Sequence, residues 1–336
     1  MVDRYSRQIL FGGIGEEGQK RLGKSCAVII GCGALGTVIA TSLVRAGVGK
    51  VRIIDRDFIE SHNLQRQVLF NEDDIRNQLP KAIAAEQHLK KINSSVEVEG
   101  IVADVNYTNI ERFVRGADII LDGLDNFETR LLINDVSLKH KIPWVYGGAI
   151  SSLGMTMTIV PHETPCFRCL QTSPIGVGRA LTCDTAGVIS PAPFIIGSLQ
   201  TAEAMKILVG AKNINRDRII IDAWRGTFHH FKIRPNEDCP ACHGKYEFLA
   251  GEFRARTTSL CGQNAVQVLN TKAGELSFEK LAARLKAVGK VTYNEFMMQF
   301  TTDSQEMIIF PDGRAIIKDT TDEALARGLY DKYIGT

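Results

Sequence analysis

A strand, a glycine-rich turn, a helix and a second strand follow one another directly near the start of this chain of 336 residues. The first apolar run covers 27–30, and the second covers 51–54 and ends at Asp55. The glycines of the turn are Gly31, Gly33 and Gly36. Glycine permits positive φ angles and a close approach of the backbone to a ligand. This order of elements therefore predicts a Rossmann-type nucleotide-binding unit.

The same unit indicates how a nucleotide would be held. The N–H groups and the dipole at the start of the helix, at Ala34, favour an anion such as a phosphate. The carboxylate of Asp55, at the end of the second strand, can accept hydrogen bonds from both ribose hydroxyls. A glycine-rich turn without a ligand is the alternative, and the complete strand–turn–helix–strand context argues against it.

The residues after Asp55 indicate which nucleotide is bound. They include Asp57, the run His-Asn-Leu-Gln-Arg-Gln at 62–67, and Lys81 at the start of a predicted helix. A cation is unfavourable at a helix start unless an anion is bound there. Positive side chains beside the crevice suit a triphosphate better than a dinucleotide. An NAD(P)-dependent dehydrogenase is an alternative that explains only the glycines and Asp55.

Two Cys-x-x-Cys pairs predict a structural zinc site. The pairs are Cys166 with Cys169 and Cys239 with Cys242. Four thiolates complete a tetrahedral sulfur set and leave no position open for catalysis. Redox activity is the alternative for a single pair, but redox pairs lack a second pair of this kind.

Composition and charge limit the partners and the cellular compartment that we expect for this protein. A net charge of +2, from 40 basic and 38 acidic residues, gives no reason to expect a nucleic acid or a membrane surface as partner. The N-terminal segment is too charged for a signal peptide, so we expect a cytoplasmic protein. The eight cysteines are then expected to be thiols or metal ligands rather than disulfides.

The order of predicted elements is typical of an α/β fold with a Rossmann-like mixed sheet and helices on both faces. Further elements predicted in this part are strands at 117–121, 145–149, 155–160, 218–222 and 227–233 and helices at 128–139 and 194–209. The pattern changes after about residue 245, where a helix at 277–288, strands at 291–300, 307–310 and 315–318, and a helix at 323–333 are predicted. We therefore predict one domain at 1–245 and a small α+β domain at 246–336.

Several of these motifs together resemble the ThiF/MoeB/HesA family, the bacterial relatives of ubiquitin-activating enzymes. The resemblance covers about residues 1–245, which would be the adenylating domain. The matching motifs are D-x-D at 55–57, N-L-x-R-Q at 63–67, R-Y-x-R-Q at 4–8, D-N at 125–126, the two cysteine pairs, and T-C-x-x-x-G-V at 182–188.

The resemblance implies a homodimeric, ATP-dependent adenylyltransferase. Members of this family join AMP to the C-terminal glycine carboxylate of a ubiquitin-like sulfur-carrier protein that ends in Gly-Gly, and the acyl-adenylate later receives sulfur. The implied roles are ribose binding by Asp55, phosphate binding by Arg66, Lys81 and Arg7, the last across the dimer, and Mg²⁺ binding by Asp125. The wider nucleotide site implied by the match includes Gly31, Gly33, Ala34, Gly36, Asp57, Asn63 and Asn126.

Cys183 is a further candidate catalytic residue. It lies in a segment flanked by Gly, Ser and Pro residues that is typical of a surface loop, where a thiol of lowered pKa can act as a nucleophile. In the family, the matching cysteine takes part in thioester or acyl-disulfide chemistry in some members and is dispensable in others. Cys261 is a second candidate thiol, for which packing is the alternative.

Three other functions stay open at the level of sequence. The first is activation of a small or tRNA-borne carboxylate, as in the related threonylcarbamoyl-adenosine tRNA dehydratases, against which the near-neutral charge argues. The second is the dehydrogenase. The third is a non-catalytic scaffold for a ubiquitin-like partner, against which the presence of every candidate ATP contact argues. The sulfur donor and the pathway (thiamine, molybdopterin, cysteine or tRNA thiolation) also stay open.

Overall fold

The structure is a computed structural model that describes residues 4–170, 186–253, 257–260, 264–269, 276–302 and 305–335. The chain divides into two compact units, Met1–Glu252 and Phe253–Thr336. The division lies a few residues after the boundary predicted at 245–246, and the assignment of a function to each domain stays a prediction.

The first unit consists of one large sheet with helices on both faces. Its strands are β1 (Cys26–Ile30), β2 (Lys50–Asp55), β3 (Glu97–Val102), β4 (Ile119–Asp122), β5 (Trp144–Ile150), β6 (Leu153–Ile159), β7 (Arg218–Asp222) and β8 (Thr227–Phe231). Its helices are α1 (Ser6–Ile9), α2 (Gly15–Leu22), α3 (Ala34–Ala46), α4 (Glu72–Arg76), α5 (Lys81–Ile92), α6 (Ile110–Phe113), α7 (Phe127–His140) and α8 (Pro191–Val209). Short 3-10 turns lie at Ser61–Asn63 and Phe167–Leu170.

The sheet is mixed, as the sequence predicts. The strand order is β3-β2-β1-β4-β5-β6-β7-β8. Strands β1 to β5 are parallel, and β6, β7 and β8 join antiparallel. The chain passes from β1 outward to β2 and β3 and then returns to β4 on the other side of β1. Ligands of open α/β sheets bind at such a switch point, beyond the carboxyl ends of the strands.

Strand β1 is buried on both faces. Ala27 and Ile29 belong to one core, which α3, α5 and α8 cover, whereas Val28 and Ile30 belong to a second core, which α6 and α7 cover. Neighbouring side chains of a strand point to opposite faces, so a strand with helices on both sides must be apolar at every position. This explains why β1 is a continuous apolar run and not an alternating one.

The second unit is a small α+β fold, also as predicted. Its antiparallel sheet has the order β11-β12-β13-β14-β10-β9. The strands are β9 (Thr257–Leu260), β10 (Ala265–Val268), β11 (Lys290–Tyr293), β12 (Met298–Thr301), β13 (Glu306–Ile309) and β14 (Ala315–Lys318), and the helices are α9 (Phe278–Leu285) and α10 (Glu323–Tyr333). Apolar residues of both helices share one core with strands of the sheet.

Two details of the second unit differ from the sequence-based prediction. The single strand predicted at 291–300 is the hairpin of β11 and β12, because the side chain of Asn294 accepts hydrogen bonds from the N–H groups of Phe296 and Met297 and turns the chain. Strands β9 and β10 were not predicted. Across the ranges that the structure describes, no helix has both the length and the apolar character needed to cross a membrane.

Candidate functional site

The glycine-rich turn depends on two glycines for its backbone shape. Gly31 has a φ of 91°, and a Cβ there would lie 2.7 Å from the backbone of Gly123, which follows β4. A Cβ at Gly36 would clash with the carbonyl oxygen of Gly31. Both positions therefore need glycine for the fold itself, and the turn is packed closely against the end of β4.

Gly33 differs from these two glycines. Its φ is −84°, and a Cβ there would meet nothing closer than 3.8 Å, at the carbonyl oxygen of Gly123. It immediately precedes α3, which begins at Ala34 and whose first turn no side chain caps within the described residues. The fold thus has room for a larger residue, and the space is suited to an anion at the helix N-terminus.

We expect Gly33→Ala to separate binding from stability. The added methyl group fills space that a phosphate would occupy, so the KM for ATP should rise about tenfold or more, while thermal stability stays the same or rises slightly because alanine restricts the unfolded chain. Gly36→Ala is the matched control and should lower the melting temperature because of its backbone clash. An unchanged KM in Gly33→Ala would show that the nucleotide does not approach this turn.

Asp55 connects the turn to the end of β2. Its Oδ2 accepts a hydrogen bond from the N–H of Cys32 at 2.5 Å, and its Oδ1 accepts one from the N–H of Asp57 at 2.7 Å. Burial raises the pKa of Asp55, and the nearby charge of Lys81 opposes the rise. The carboxylate is held at the carboxyl end of β2, the position at which a Rossmann acid meets the ribose.

Lys81 and Asp57 form a largely buried ion pair beside this acid. Lys81 Nζ lies 3.1 Å from Asp57 Oδ2, and the N–H of Lys81 donates to the carbonyl of Asp57 at 2.9 Å. Burial alone would lower the pKa of Lys81, but the charges of Asp57 and Asp55 outweigh it and raise the pKa above its ordinary value. A protonated lysine therefore stands at the first residue of α5, where a phosphate would complement it.

Arg56 adds a second cation that sequence reasoning missed. Its Nη1 lies 2.7 Å from Asp104 Oδ1, and its Nε lies 3.6 Å from Asp57 Oδ1. Burial opposes its charge, but Asp104 and Asp57 raise the pKa of Arg56 above the ordinary value. The sequence could have indicated Arg56, because it lies between Asp55 and Asp57, and every residue of the D-x-D motif lies at the same strand end.

Asp125 and Asn126 follow β4 in a short loop. The carboxylate of Asp125 is exposed, and its charge contributes to the raised pKa values of Lys81 and Arg130, so it lies within electrostatic reach of both. The side chain of Asn126 accepts a hydrogen bond from the N–H of Thr129 at 3.0 Å and caps α7. The structure thus gives Asn126 a capping role, and its predicted contact with the nucleotide stays a prediction.

Residues 63–67 form one short turn. Asn63 is buried and accepts a hydrogen bond from the N–H of Glu60 at 3.1 Å, and Arg66 Nη1 donates to the carbonyl of His62 at 2.8 Å. Gln67 is also buried, and within the described part of the chain its Oε1 has no hydrogen-bond partner. Gln67 Nε2 lies near the space beside Gly33.

The remaining predicted catalytic residues are Arg7 and Cys183. Arg7 is exposed on α1, the short helix at the N-terminus. Cys183 lies outside the described residues, as does Cys261. Their predicted roles stay predictions.

Arg130 is a buried residue that sequence reasoning missed. Its Nε lies 2.9 Å from Asp122 Oδ2, and its Nη2 donates to the carbonyl oxygens of Leu124 at 2.6 Å and Gly147 at 2.9 Å. The signal in the sequence was a charged residue followed directly by the apolar run 131–133, at a helix position that the fold buries.

The four predicted zinc ligands come together in space. The Sγ atoms of Cys166, Cys169, Cys239 and Cys242 all lie within 4.8 Å of one another. The closest separations are 3.5 to 3.7 Å. A tetrahedral zinc with Zn–S bonds of about 2.3 Å places its sulfur atoms about 3.8 Å apart. The donor set and its spacing therefore fit a zinc ion.

The fold and this site define the class: a nucleotide-binding α/β protein of the Rossmann type with a cysteine cluster that could hold zinc. A sequence model described as the ThiF family matches residues 5–241. The chain belongs to the ThiF family, which confirms the predicted resemblance.

Named relatives support the predicted activity. The chain is 45% identical over 342 residues, covering 100% of both sequences, to a protein of Bacillus subtilis (strain 168) named sulfur carrier protein ThiS adenylyltransferase. It is 36% identical to a sulfur carrier protein adenylyltransferase of Thermus thermophilus, covering 72% of this chain and 90% of the relative. The solved structure of E. coli MccB with ATP is similar at a TM-score of 0.63 and 26% identity, covering 72% of this chain and 75% of that one.

Proposed function

We propose that this protein is an ATP-dependent adenylyltransferase that activates the C-terminal glycine carboxylate of a ubiquitin-like sulfur-carrier protein. The observation that carries the proposal is the 45% identity to a ThiS adenylyltransferase along the whole of both chains. The site supports it, because a triphosphate needs cations such as Lys81, which is paired with Asp57 at the strand end that carries Asp55, and a dehydrogenase would leave Lys81 and Asp125 unexplained.

In the proposed reaction the carrier's carboxylate oxygen attacks the α-phosphorus of ATP. The new O–P bond forms as the bond to the β-phosphate oxygen breaks, and pyrophosphate leaves with its electron pair. Asp55 accepts from the ribose hydroxyls, and Lys81 and Arg66 neutralise phosphate charge. The contribution of the protein is mainly to position the two reactants and to neutralise developing charge.

We assign Asp125 to a magnesium ion that accompanies the phosphates. Magnesium prefers oxygen ligands, and it is usually held by one or two carboxylates together with substrate phosphates. The exposed carboxylate of Asp125, at the carboxyl end of β4 and within electrostatic reach of Lys81, fits that chemistry. Bound there, the ion would offset charge on the phosphates and on the departing pyrophosphate.

We further propose a homodimer in which the partner's copy of Arg7 reaches the phosphates. Arg7 is exposed, and the neighbouring side chains of Leu10 and Phe11 are 73% and 66% exposed. Large apolar side chains grouped at a surface are typical of an interface.

Three further parts of the proposal concern the rest of the protein. The zinc ion would be structural, and residues 1–245 would be the adenylating domain. The enzyme would act in the cytoplasm. A covalent role for Cys183 stays a prediction.

Exchange of radiolabelled pyrophosphate into ATP tests the proposal. Exchange is expected only when a small ubiquitin-like protein ending in Gly-Gly is present, and Asp125→Ala should abolish it. Deletion of the carrier's last glycine is the matched control on the substrate side. Measurable ATP binding without exchange for any carrier would overturn the proposal and favour a small carboxylate substrate or a scaffold.

A further inference from the structure

We propose that Arg130 is a positioning residue that holds the loop at 123–126, between β4 and α7, so that the carboxylate of Asp125 faces the metal–nucleotide complex. The inference rests on the proposed function, because it concerns how the metal-binding acid of that reaction is held. Arg130 itself does not touch a reacting atom. It is 5% exposed, and Asp122, its ionic partner, is fully buried.

The guanidinium of Arg130 joins the end of β4 and the loop that follows it to β5, the next strand of the sheet. Its ion pair with Asp122 fixes it to the end of β4, and its Nη2 donates to Leu124, inside the loop, and to Gly147, on β5. The same Asp122 carboxylate accepts a hydrogen bond from the N–H of Leu124 at 2.9 Å. The N–H and the carbonyl of Leu124 are therefore both bonded to this buried pair, one residue before Asp125.

Packing fixes the orientation of the guanidinium as well as its location. Its central carbon lies 5.2 Å from the ring centroid of Tyr146 and 5.6 Å from that of Phe127. Gly123, the first residue of the loop, is packed against the backbone of Gly31. The loop thus contacts both the glycine-rich turn and Arg130, which relates the position of Asp125 to the place where the phosphates would lie.

Stability alone is a weak explanation for this arrangement. Removing two charges from water is expensive, and well-packed apolar residues of similar volume often stabilise a protein as much as a buried ion pair does. A planar guanidinium, however, donates several hydrogen bonds in fixed directions, which neither an apolar side chain nor lysine can reproduce. The directional contacts to Leu124 and Gly147 are what a positioning role requires.

The affinity for Mn²⁺ tests the proposal apart from turnover. Mn²⁺ replaces Mg²⁺, a nonhydrolysable ATP analogue replaces ATP, and electron paramagnetic resonance reports the free ion. Arg130→Lys should weaken Mn²⁺ binding about 10- to 100-fold, the range typical of residues that orient a metal ligand. Asp125→Ala should also weaken it, and adding Arg130→Lys to that variant should have little further effect, because Arg130 acts through Asp125.

Two further variants keep the test decisive if Arg130→Lys folds poorly. Arg130→Met combined with Asp122→Asn removes both charges, so no carboxylate is left buried and unpaired, and it should weaken Mn²⁺ binding as Arg130→Lys does. Asp135→Asn is the matched control on the same helix, where Asp135 accepts from the N–H groups of Phe248 and Leu249, far from this loop in sequence. It should leave Mn²⁺ affinity unchanged.

Hydrogen exchange supplies an independent readout. Amides at 123–126 should exchange faster in Arg130→Lys than in the wild type, and Asp135→Asn should not change them. Wild-type Mn²⁺ affinity in both Arg130 variants, or losses that multiply in the Asp125→Ala background, would overturn the positioning role. Such a result would leave the proposed function intact, whereas a wild-type enzyme without pyrophosphate exchange would overturn the function itself.

Discussion

Replacing Lys81 by methionine should reduce adenylation about 10²- to 10³-fold, the usual cost of removing one preorganised group that stabilises transition-state charge. Lys81 is 7% exposed and paired with Asp57 at 3.1 Å, so its position is fixed before a nucleotide binds. Methionine preserves the length of the side chain and much of its packing. Initial rates of pyrophosphate exchange at saturating carrier would measure the loss.

The same variant should change how stability depends on pH. In the wild type, burial raises the pKa of Asp55 while Lys81 opposes the rise, so removing Lys81 should raise that pKa further. A carboxyl group whose pKa is higher in the folded state contributes stability at low pH, and this contribution is lost as pH rises through the folded pKa. The stability deficit of Lys81→Met should therefore be smaller at about pH 5 than at about pH 8.

Urea unfolding of the wild type and of Lys81→Met at both pH values would measure this difference. The matched control is Lys50→Met, which removes a lysine paired at the surface with Glu97 at 2.7 Å and should leave exchange activity unchanged. Full exchange activity in Lys81→Met would remove Lys81 from the nucleotide site. An equal deficit at the two pH values would show that its charge does not act on Asp55.

Local patterns were enough to predict the elements that approach the nucleotide. The unit from β1 to β2 could be predicted because its apolar runs, glycines and acid are adjacent in sequence. Each of these residue types is required by contacts within the unit itself. The clash of a Cβ at Gly36 with Gly31 shows this, since the two residues are only five positions apart. The cysteine cluster could be predicted for a different reason: two Cys-x-x-Cys pairs supply the complete ligand set of a tetrahedral zinc site.

Contacts that depend on the order of strands could not be predicted. Arg130 meets Gly147 because β4 and β5 are neighbours in the sheet, and nothing near Arg130 in sequence specifies that pairing. The burial of Arg130 next to Asp122 likewise depends on how α7, which carries Arg130, packs against β5. The hairpin of β11 and β12 was missed for a local reason, because the side-chain hydrogen bonds of Asn294 interrupt a run whose composition is typical of one strand.

Loss of one zinc ligand should destabilise the first unit by several kcal/mol. Cys166 is the variant of choice, because its Sγ lies 3.7, 3.6 and 3.5 Å from those of Cys169, Cys239 and Cys242. Structural zinc binds with on the order of 10 kcal/mol of free energy, and that energy contributes to folding. Cys166→Ser should therefore lose about one equivalent of zinc by elemental analysis and melt at a markedly lower temperature.

Cys26→Ser is the matched control, since Cys26 is a half-buried thiol at the start of β1 and lies outside the cluster. It should retain zinc. A Cys166→Ser protein with wild-type zinc content would exclude Cys166 as a ligand, and one that loses zinc without losing stability would exclude a structural role for the ion.

The cysteine cluster should affect nucleotide binding through the aromatic side chains of β5. Phe167 lies between Cys166 and Cys169 in sequence. Its ring centroid is 4.8 Å from that of Tyr146 and 5.5 Å from that of Trp144. Tyr146 in turn packs against the guanidinium of Arg130. Removal of zinc would release Cys166 and Cys169, which flank Phe167, and this should loosen the packing that orients Arg130. We therefore expect zinc removal by a chelator to weaken Mn²⁺–nucleotide binding before the first unit unfolds. If binding instead stays unchanged until the unit unfolds, zinc contributes only to stability.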